Sequence, residues 1–167
     1  RYDPVMAGPL LRTDIVEVYV FRRPPGGLQW LQMRRLRPPM AGTWHPVMGH
    51  VEEGERADEA ALRELAEETG WGPSDRLGTW QLEQVNTYYL ASYDEVVLSP
   101  GFAVEVAPGA EPTLDPAHDA HRWIPRDAAD RAFLWPGQRA AAEHIACDLV
   151  DPGSELASHL RLDAPGA

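Results

Sequence analysis

Acidic side chains are concentrated in one short stretch of the sequence, between Gly49 and Gly70. This stretch holds eight acidic and two basic residues, within a chain of 167 residues whose net charge is −11. Glu64, Glu67 and Glu68 are spaced at i, i+3 and i+4, so on an α-helix they share a face. Carboxylates grouped in this way repel each other unless a cation lies among them, and Mg²⁺ prefers carboxylate, water and phosphate oxygens. The pattern therefore indicates either a Mg²⁺ site or a solvated acidic helix face.

The helix that would carry these carboxylates is predicted over residues 57–69. Gly70 follows it and suits the left-handed residue that closes a helix. The residues expected to face a core are Leu62, Leu65, Ala66 and Thr69. The carboxylates would then point outward together.

The spacing around this helix resembles the Nudix hydrolase box at every fixed position. Gly49 is followed six residues later by Glu55, and a second block runs from Arg63 through Trp71. The box reads Gly, five variable residues, Glu, seven variable residues, Arg-Glu, an apolar residue, any residue, Glu-Glu, any residue, Gly and an apolar residue. The resemblance implies an α/β fold, the Nudix α/β/α sandwich, in which a mixed β-sheet lies between helices.

The resemblance also implies a role for each residue of the box. The implied metal ligands are Glu64, Glu67, Glu68 and the main-chain carbonyl of Gly49, with Mg²⁺ as the cofactor and Mn²⁺ as an alternative. Glu67 is also a candidate base. Glu55 and Arg63 are expected to form an internal ion pair that orients the carboxylates. The family reaction is attack of water on a diphosphate joined to another group, which a divalent cation assists by neutralising the phosphates and acidifying water.

Residues on both sides of the predicted helix resemble a narrower group of these enzymes. The segment before it reads Trp44-His45-Pro46-Val47-Met48-Gly49-His50-Val51-Glu52-Glu53-Gly54-Glu55, and after it come His118, Arg122-Trp123 and Trp135 to Arg139, before the last predicted helix. These residues are similar to the bacterial dihydroneopterin triphosphate or dATP pyrophosphohydrolase group. This resemblance implies that the substrate is a nucleoside or pterin triphosphate, cleaved to a monophosphate and pyrophosphate.

The sequence departs from that group at the expected catalytic acid. An acidic residue normally precedes the histidine, but here Ala117 precedes His118. Because a water nucleophile needs a partner for its proton, we expect His118 or Asp119 to act in catalysis. Asp115 and Glu83 are the alternatives.

Candidate substrate-binding residues lie on two predicted strands. Arg34 and Arg35 end the second strand, and alternation allows only one of them to face the site as a phosphate clamp. Tyr88, in the pair Tyr88-Tyr89, lies where dinucleoside polyphosphate hydrolases carry a base-stacking tyrosine, although such a pair also suits a core. A dinucleoside polyphosphate hydrolase is therefore the alternative enzyme, and a nucleotide-sensing module without turnover is the alternative from another class.

The elements around the box follow from the pattern of apolar and turn residues. The predicted strands are 15–21, 28–33, 44–51, 79–90, 96–98, 102–106 and 121–124, and the last main helix is 137–150. Residues 107–116 read as a loop because they are rich in Pro and Gly. We expect one domain over residues 1–167, with a core of about 13–150 and flexible ends.

Composition excludes several classes of function. All 15 basic residues are arginine, so Schiff-base chemistry and a P-loop are excluded. A net charge of −11 disfavours binding to a nucleic acid duplex. The single cysteine, the lack of an apolar run of about 20 residues and the absence of a signal-peptide pattern favour a cytoplasmic protein that is not bound to a membrane. The expected partner is a small nucleotide or related diphosphate, and a homodimer is kept as an alternative to a monomer.

Overall fold

A mixed eight-stranded β-sheet forms the centre of the fold and carries helices on both faces. The computed structural model describes residues 8–38, 40–152 and 154–163. The strands are β1 (Leu10–Arg12), β2 (Ile15–Arg22), β3 (Gln29–Arg35), β4 (Trp44–His45), β5 (Val47–His50), β6 (Arg76–Leu90), β7 (Glu95–Val106) and β8 (His118–Pro125). The helices are α1 (Ala57–Thr69), α2 (Ala129–Ala132), α3 (Pro136–His144), which continues as a π-helix (Ile145–Val150), and α4 (Leu156–Leu160). The predicted α/β sandwich is confirmed.

Strand β2 is central and is buried along nearly its whole length. Its β-branched and aromatic residues suit a strand that is covered on both faces. Val16 and Val18 belong to the apolar cluster beneath α1, whereas Tyr19 and Phe21 belong to the cluster beneath α3. Alternate side chains of one strand therefore join the two halves of the core.

Strands β2 and β3 form the predicted hairpin but separate soon after it. They pair only at Phe21 with Trp30 and at Arg22 with Gln29. The first half of β2 pairs with β5, whereas the second half of β3 pairs with β4 on one edge, and β8 pairs along the whole of β3 on the other edge. The sheet therefore forks, and the segment that leads into α1 lies in this fork.

Strand β7 differs from the sequence prediction. The two predicted strands, 96–98 and 102–106, form one continuous strand. Pro100 lies within it, opposite Val85 of β6, although proline cannot donate a ladder hydrogen bond. A register shift in β6 between Gln81 and Val85 absorbs the irregularity.

Smaller differences occur elsewhere. The predicted strand 44–51 is interrupted at Pro46, and β8 begins at His118 rather than at residue 121. The tail beyond the expected core boundary is packed, because Trp80 Nε1 of β6 donates to Ala157 O at 3.0 Å. Of the ends that the sequence predicts to be flexible, before about residue 13 and after about residue 150, residues 1–7, 153 and 164–167 lie outside the described residues. Among the helices that the structure describes, none has the length and apolar character needed to cross a membrane.

Candidate active site

Helix α1 has the predicted bounds and packs one face against the sheet. Gly70 adopts φ 76° and its N–H donates to Ala66 O at 2.9 Å, which ends the helix as predicted. The buried residues of the helix are Ala60, Ala61, Leu65, Glu68 and Thr69. The prediction that Ala66 faces the core is wrong, and Leu62 is only half-buried. The small side chains of Ala60 and Ala61 instead allow this face of α1 to lie against the sheet.

Glu68 is the carboxylate that the structure turns inward. Its exposed fraction is 8%, so the expectation that all three carboxylates point outward is wrong for this residue. The main chain of Met48 hydrogen-bonds to the carboxylate, but Oε2 has no hydrogen-bond partner among the described residues. Burial and, to a smaller extent, the negative charges of Glu64 and Asp115 together raise the pKa of Glu68 to about 9. A buried carboxylate oxygen without a donor is a position that a cation satisfies.

Glu64 lies beside Glu68 and is held against strand β5. Its Oε1 accepts from His50 N at 3.1 Å and from Arg63 Nη1 at 2.9 Å. A Cβ atom at position 49 would lie 1.9 Å from Glu64 Cδ, so only Gly49 allows the strand to pass this close. The close approach brings the Gly49 main chain next to the Glu64 carboxylate.

Glu55 and Arg63 form a bidentate ion pair, as the sequence predicts. Arg63 Nε and Nη2 donate to the two carboxylate oxygens of Glu55, each at 2.9 Å, and Nη2 also donates to His50 O at 2.8 Å. The hydrogen bonds from Arg63 lower the pKa of Glu55 below its usual value. Because Arg63 also contacts Glu64, the pair links the loop before α1 to the helix carboxylates.

Glu67 is separated from the other two carboxylates. Its side chain is 58% exposed, and its contact is with Arg63 Nη1 at 3.5 Å. In the part of the chain that the structure describes, no three His, Cys, Asp or Glu side chains converge as a ready metal cluster. The structure therefore pairs Glu64 with Glu68 and leaves Glu67 on the solvent side of the helix.

Asp115 and His118 bring a second acidic group to Glu68. Asp115 N donates to Glu68 O at 3.3 Å, and Asp115 Oδ1 lies 2.6 Å from His118 Nδ1. The His118 ring is buried and its centroid is 5.2 Å from that of His45. Burial lowers the pKa of His45 to about 4, because the charged ring would lose its hydration. Among the acidic residues considered as substitutes for one at position 117, Asp115 is the one whose charge acts on Glu68.

Asp119 and Arg34 lie away from the carboxylates. They bind each other through two hydrogen bonds, Arg34 Nε and Nη2 to the Asp119 carboxylate at 2.7 and 3.0 Å, on an exposed part of the sheet. The positive charge of Arg35 instead acts on Glu68, whose pKa it lowers slightly. The two arginines thus separate as alternation requires, with Arg35 on the side of the site. The ion pair with Arg34 occupies the Asp119 carboxylate, and the catalytic role of Asp119 stays a prediction.

Tyr88 lies beside a buried polar cluster that the sequence prediction missed. Burial and the nearby Glu17 raise the pKa of Tyr88 to about 12. Glu17 accepts hydrogen bonds from Tyr19 Oη and, at 3.1 Å, from Asn86 Nδ2. Burial raises the pKa of Glu17, in spite of these hydrogen bonds. The available signal was an isolated glutamate inside the apolar run of β2. Tyr88 is half-buried here rather than presented as an open stacking platform.

The comparisons with known proteins identify the family of the chain. The family described as NUDIX domain matches residues 12–145. The chain belongs to the Nudix family. Nudix hydrolases generally use a divalent metal such as Mg²⁺.

Similar solved structures share the fold. The Ap4A hydrolase of C. elegans, solved as a binary complex, has a TM-score of 0.68 at 18% identity and covers 80% of this chain and 95% of that one. The dihydroneopterin triphosphate pyrophosphohydrolase of E. coli has a TM-score of 0.65 at 20% identity, covering 80% and 96%. The NUDIX domain of Shewanella oneidensis NrtR, complexed with ADP ribose, has a TM-score of 0.64 at 20% identity, covering 86% and 90%. At these identities the likeness shows the fold alone.

One curated relative has a name that does not refer to the Nudix family. A protein named octanoyltransferase from Myxococcus xanthus is 37% identical over 139 residues, which is 82% of this chain. The chain spans only 37% of the length of that relative. The similarity therefore covers a part of a longer protein.

Proposed function

We propose that this protein is a Mg²⁺-dependent pyrophosphohydrolase that cleaves a nucleoside triphosphate, or a related pterin triphosphate, to a monophosphate and pyrophosphate. The observation that carries the proposal is the Glu68 carboxylate, whose Oε2 is buried without a partner next to Glu64. Glu64 and Glu68 would hold the cation, and Glu67 would join them from the exposed side of α1. When bound, the cation neutralises phosphate charge and acidifies water.

The residues around the carboxylates suit a supporting role. Arg63 contacts Glu55, Glu64 and the carbonyl of His50, so it fixes the loop and helix that carry the ligands. Gly49 lets β5 pass close to Glu64. Arg35 supplies positive charge on this side of the sheet, which suits a phosphate of the substrate.

We assign to Asp115 the role of the acidic residue that the related enzymes carry at the position of Ala117. Asp115 is near the Glu68 carboxylate and is hydrogen-bonded to His118, which is buried and fixed. The proposed role of Asp115 is to hold the attacking water and accept its proton, with His118 as a positioning residue. In this assignment neither His118 nor Asp119 accepts the proton.

The alternatives have less support. A dinucleoside polyphosphate hydrolase was suggested by Tyr88, which is half-buried beside Glu17. Its neighbour Tyr89 is exposed but donates to Asp94 Oδ1 at 2.8 Å. A sensing module without turnover usually lacks carboxylates of the box, and this chain has all of them. A homodimer and a cytoplasmic location stay predictions, and the molar mass in solution tests the former.

A substrate panel with product identification tests the proposal. Purine and pyrimidine triphosphates, dihydroneopterin triphosphate and diadenosine tetraphosphate are incubated with the protein and Mg²⁺, and products are resolved by ³¹P NMR. We expect a triphosphate to yield monophosphate and pyrophosphate, with no turnover in EDTA. Turnover of the tetraphosphate alone would favour the alternative enzyme, and no turnover of any compound would contradict the proposal.

A further inference from the structure

The loop 107–116 carries Asp115 and is attached to helix α1 near its end. Thr113 N donates to Thr69 O at 2.9 Å. Asp115 N donates to the carbonyl oxygen of Glu68 at 3.3 Å. Both hydrogen bonds join main-chain atoms, so they hold the end of the loop beside the last turn of α1. The middle of the loop has a separate attachment to the sheet, through a glutamate side chain.

That glutamate is Glu111, whose carboxylate accepts hydrogen bonds from side chains of two strands. Its Oε1 accepts from Arg22 Nη1, at the end of β2, at 2.9 Å. Its Oε2 lies 2.8 Å from His121 Nε2 and 3.1 Å from Trp123 Nε1, both on β8. Burial acts to raise the pKa of Glu111, but the three hydrogen bonds outweigh it and lower the pKa below its usual value. The carboxylate is therefore ionised and can accept from all three donors.

Arg22 holds the loop through a second contact and is itself fixed in position. Its side chain is only 13% exposed, and its Nε donates to Gln29 Oε1 at 2.8 Å. The centre of its guanidinium lies 3.9 Å from the centroid of the Trp123 ring, in the range of a cation–π contact. Its Nη1 also donates to Ala110 O at 3.0 Å. Arg22 therefore binds both the main chain of the loop and the Glu111 side chain.

Trp123 connects this attachment with the residue that follows the end of α1. The centroid of its ring is 6.3 Å from that of Trp71, which is buried in the apolar cluster beneath α1. Trp123 packs against the same cluster. The loop is therefore held from both sides, by the last turn of α1 at Asp115 and by β2 and β8 at Glu111.

The exposure of Glu111 indicates that its contacts matter more for position than for stability. Its side chain is 55% exposed, and an ion pair at such a site adds little to the free energy of unfolding. The same contacts restrict the path of a loop that is otherwise rich in Pro and Gly. Asp115 comes four residues after Glu111, so a shift of the loop at Glu111 is transmitted to Asp115 through a short stretch of chain.

We propose that Glu111 is a positioning residue, which keeps the loop where the Asp115 carboxylate acts beside Glu68. The inference rests on the proposed function, in which Asp115 accepts the proton of the attacking water. Proton transfer requires the acceptor to lie within hydrogen-bond distance of the water, and a displacement of about 1 Å can lower a rate by about 100-fold. Glu111 acts through the loop and therefore affects the reaction only by way of Asp115.

A double-mutant cycle of Glu111→Gln with Asp115→Asn tests the inference. Rates are measured at saturating Mg²⁺ on the triphosphate of the substrate panel with the highest turnover. Glu111→Gln keeps the size of the side chain but removes its charge, so kcat should fall about tenfold with KM changed by less than about twofold. In the Asp115→Asn background the same change should cause no further loss, because both variants act through one group. A residue that only supported the fold would lower kcat in both backgrounds.

Hydrogen exchange provides a readout that does not depend on turnover. In Glu111→Gln the main-chain amides of Thr113 and Asp115 should exchange at least about tenfold faster than in the wild type, because the loop opens more often. Glu105→Gln is the matched control, since Glu105 is likewise bound by an arginine, Arg23 Nε at 2.6 Å, but lies on β7. The control should keep the wild-type kcat and the wild-type exchange rates of both amides.

Several results would overturn the inference and leave the proposed function standing. They are a wild-type kcat in Glu111→Gln, unchanged exchange at the two amides, and a loss of kcat that persists in full in the Asp115→Asn background. Absence of wild-type turnover on every triphosphate would instead contradict the proposed function, and with it the inference.

Discussion

Gly49 and Glu64 are so close that a Cβ atom added at position 49 would lie 1.9 Å from Glu64 Cδ. The contact joins β5 to α1 at the carboxylate proposed to hold the cation. We therefore predict that Gly49→Ala displaces the Glu64 carboxylate. Activity should fall at least about tenfold, and the free energy of unfolding should fall by about 1–3 kcal/mol, because an inserted methyl group must be accommodated.

Gly26→Ala is the control for this substitution, because nothing lies within 4 Å of a Cβ atom at position 26. Steady-state rates and urea unfolding of both variants provide the comparison. A Gly49→Ala protein with wild-type activity would show that the close contact is not required.

The burial of Glu68 predicts opposite effects on activity and stability. The Glu68→Gln variant should lose turnover, since Glu68 is a proposed ligand. Without metal it should be more stable than the wild type by up to about 3 kcal/mol at pH 7, because the folded wild type keeps a proton on Glu68 that the unfolded chain releases.

The pH dependence of this effect has a definite sign. The pKa of Glu68 is about 9 in the folded protein, against an ordinary value of 4.5 for a glutamate in the unfolded chain. Because folded Glu68 keeps its proton up to a higher pH than unfolded Glu68, the free energy of unfolding of the metal-free wild type falls as the pH rises from about 4.5 to about 9. Glu68→Gln lacks this contribution, so unfolding curves of the two proteins in EDTA should diverge across that range. Parallel curves would contradict the buried, protonated state.

The Nudix box allowed the sequence to predict helix α1, but not which face of the helix is buried against the sheet. The bounds of α1 follow from Gly70 and from the apolar spacing, and both are local signals. Around a helix, Glu67 and Glu68 are separated by about 100°, and the boundary of the buried face passes between them. Their spacing showed that they are near each other, but only the packing of Ala60 and Ala61 on the sheet determines which one is covered.

The position of Asp115 depends on contacts that are distant in sequence. The loop 107–116 is fastened to the end of α1 by Thr113 N, which donates to Thr69 O at 2.9 Å, and by Asp115 N, which donates to Glu68 O. These are main-chain hydrogen bonds, so side-chain types carry no signal for them. The sequence therefore identified the set of candidate acids but not the one that lies at the site.

The ion pair between Glu55 and Arg63 predicts a non-additive response. Glu55→Gln and Arg63→Ala should each lower activity by about 10- to 100-fold, as is typical when residues that orient metal ligands are removed. The double variant should lose less than the product of the two, because both changes remove one interaction. A double-mutant cycle of kcat/KM measures the coupling, and strict additivity would show that the two residues act independently.

Asp115 and Asp119 are a matched pair for the last prediction. Both are aspartates near His118, but Asp115 lies near Glu68 whereas Asp119 is held by Arg34. If Asp115 accepts the proton of the attacking water, Asp115→Asn should lower kcat by about 10²-fold or more with little change in KM. Asp119→Asn should stay close to the wild-type kcat, because its partner lies outside the carboxylate group. Single-turnover rates at saturating Mg²⁺ give the measurement. A large loss of kcat in Asp119→Asn combined with a wild-type rate in Asp115→Asn would reverse the assignment.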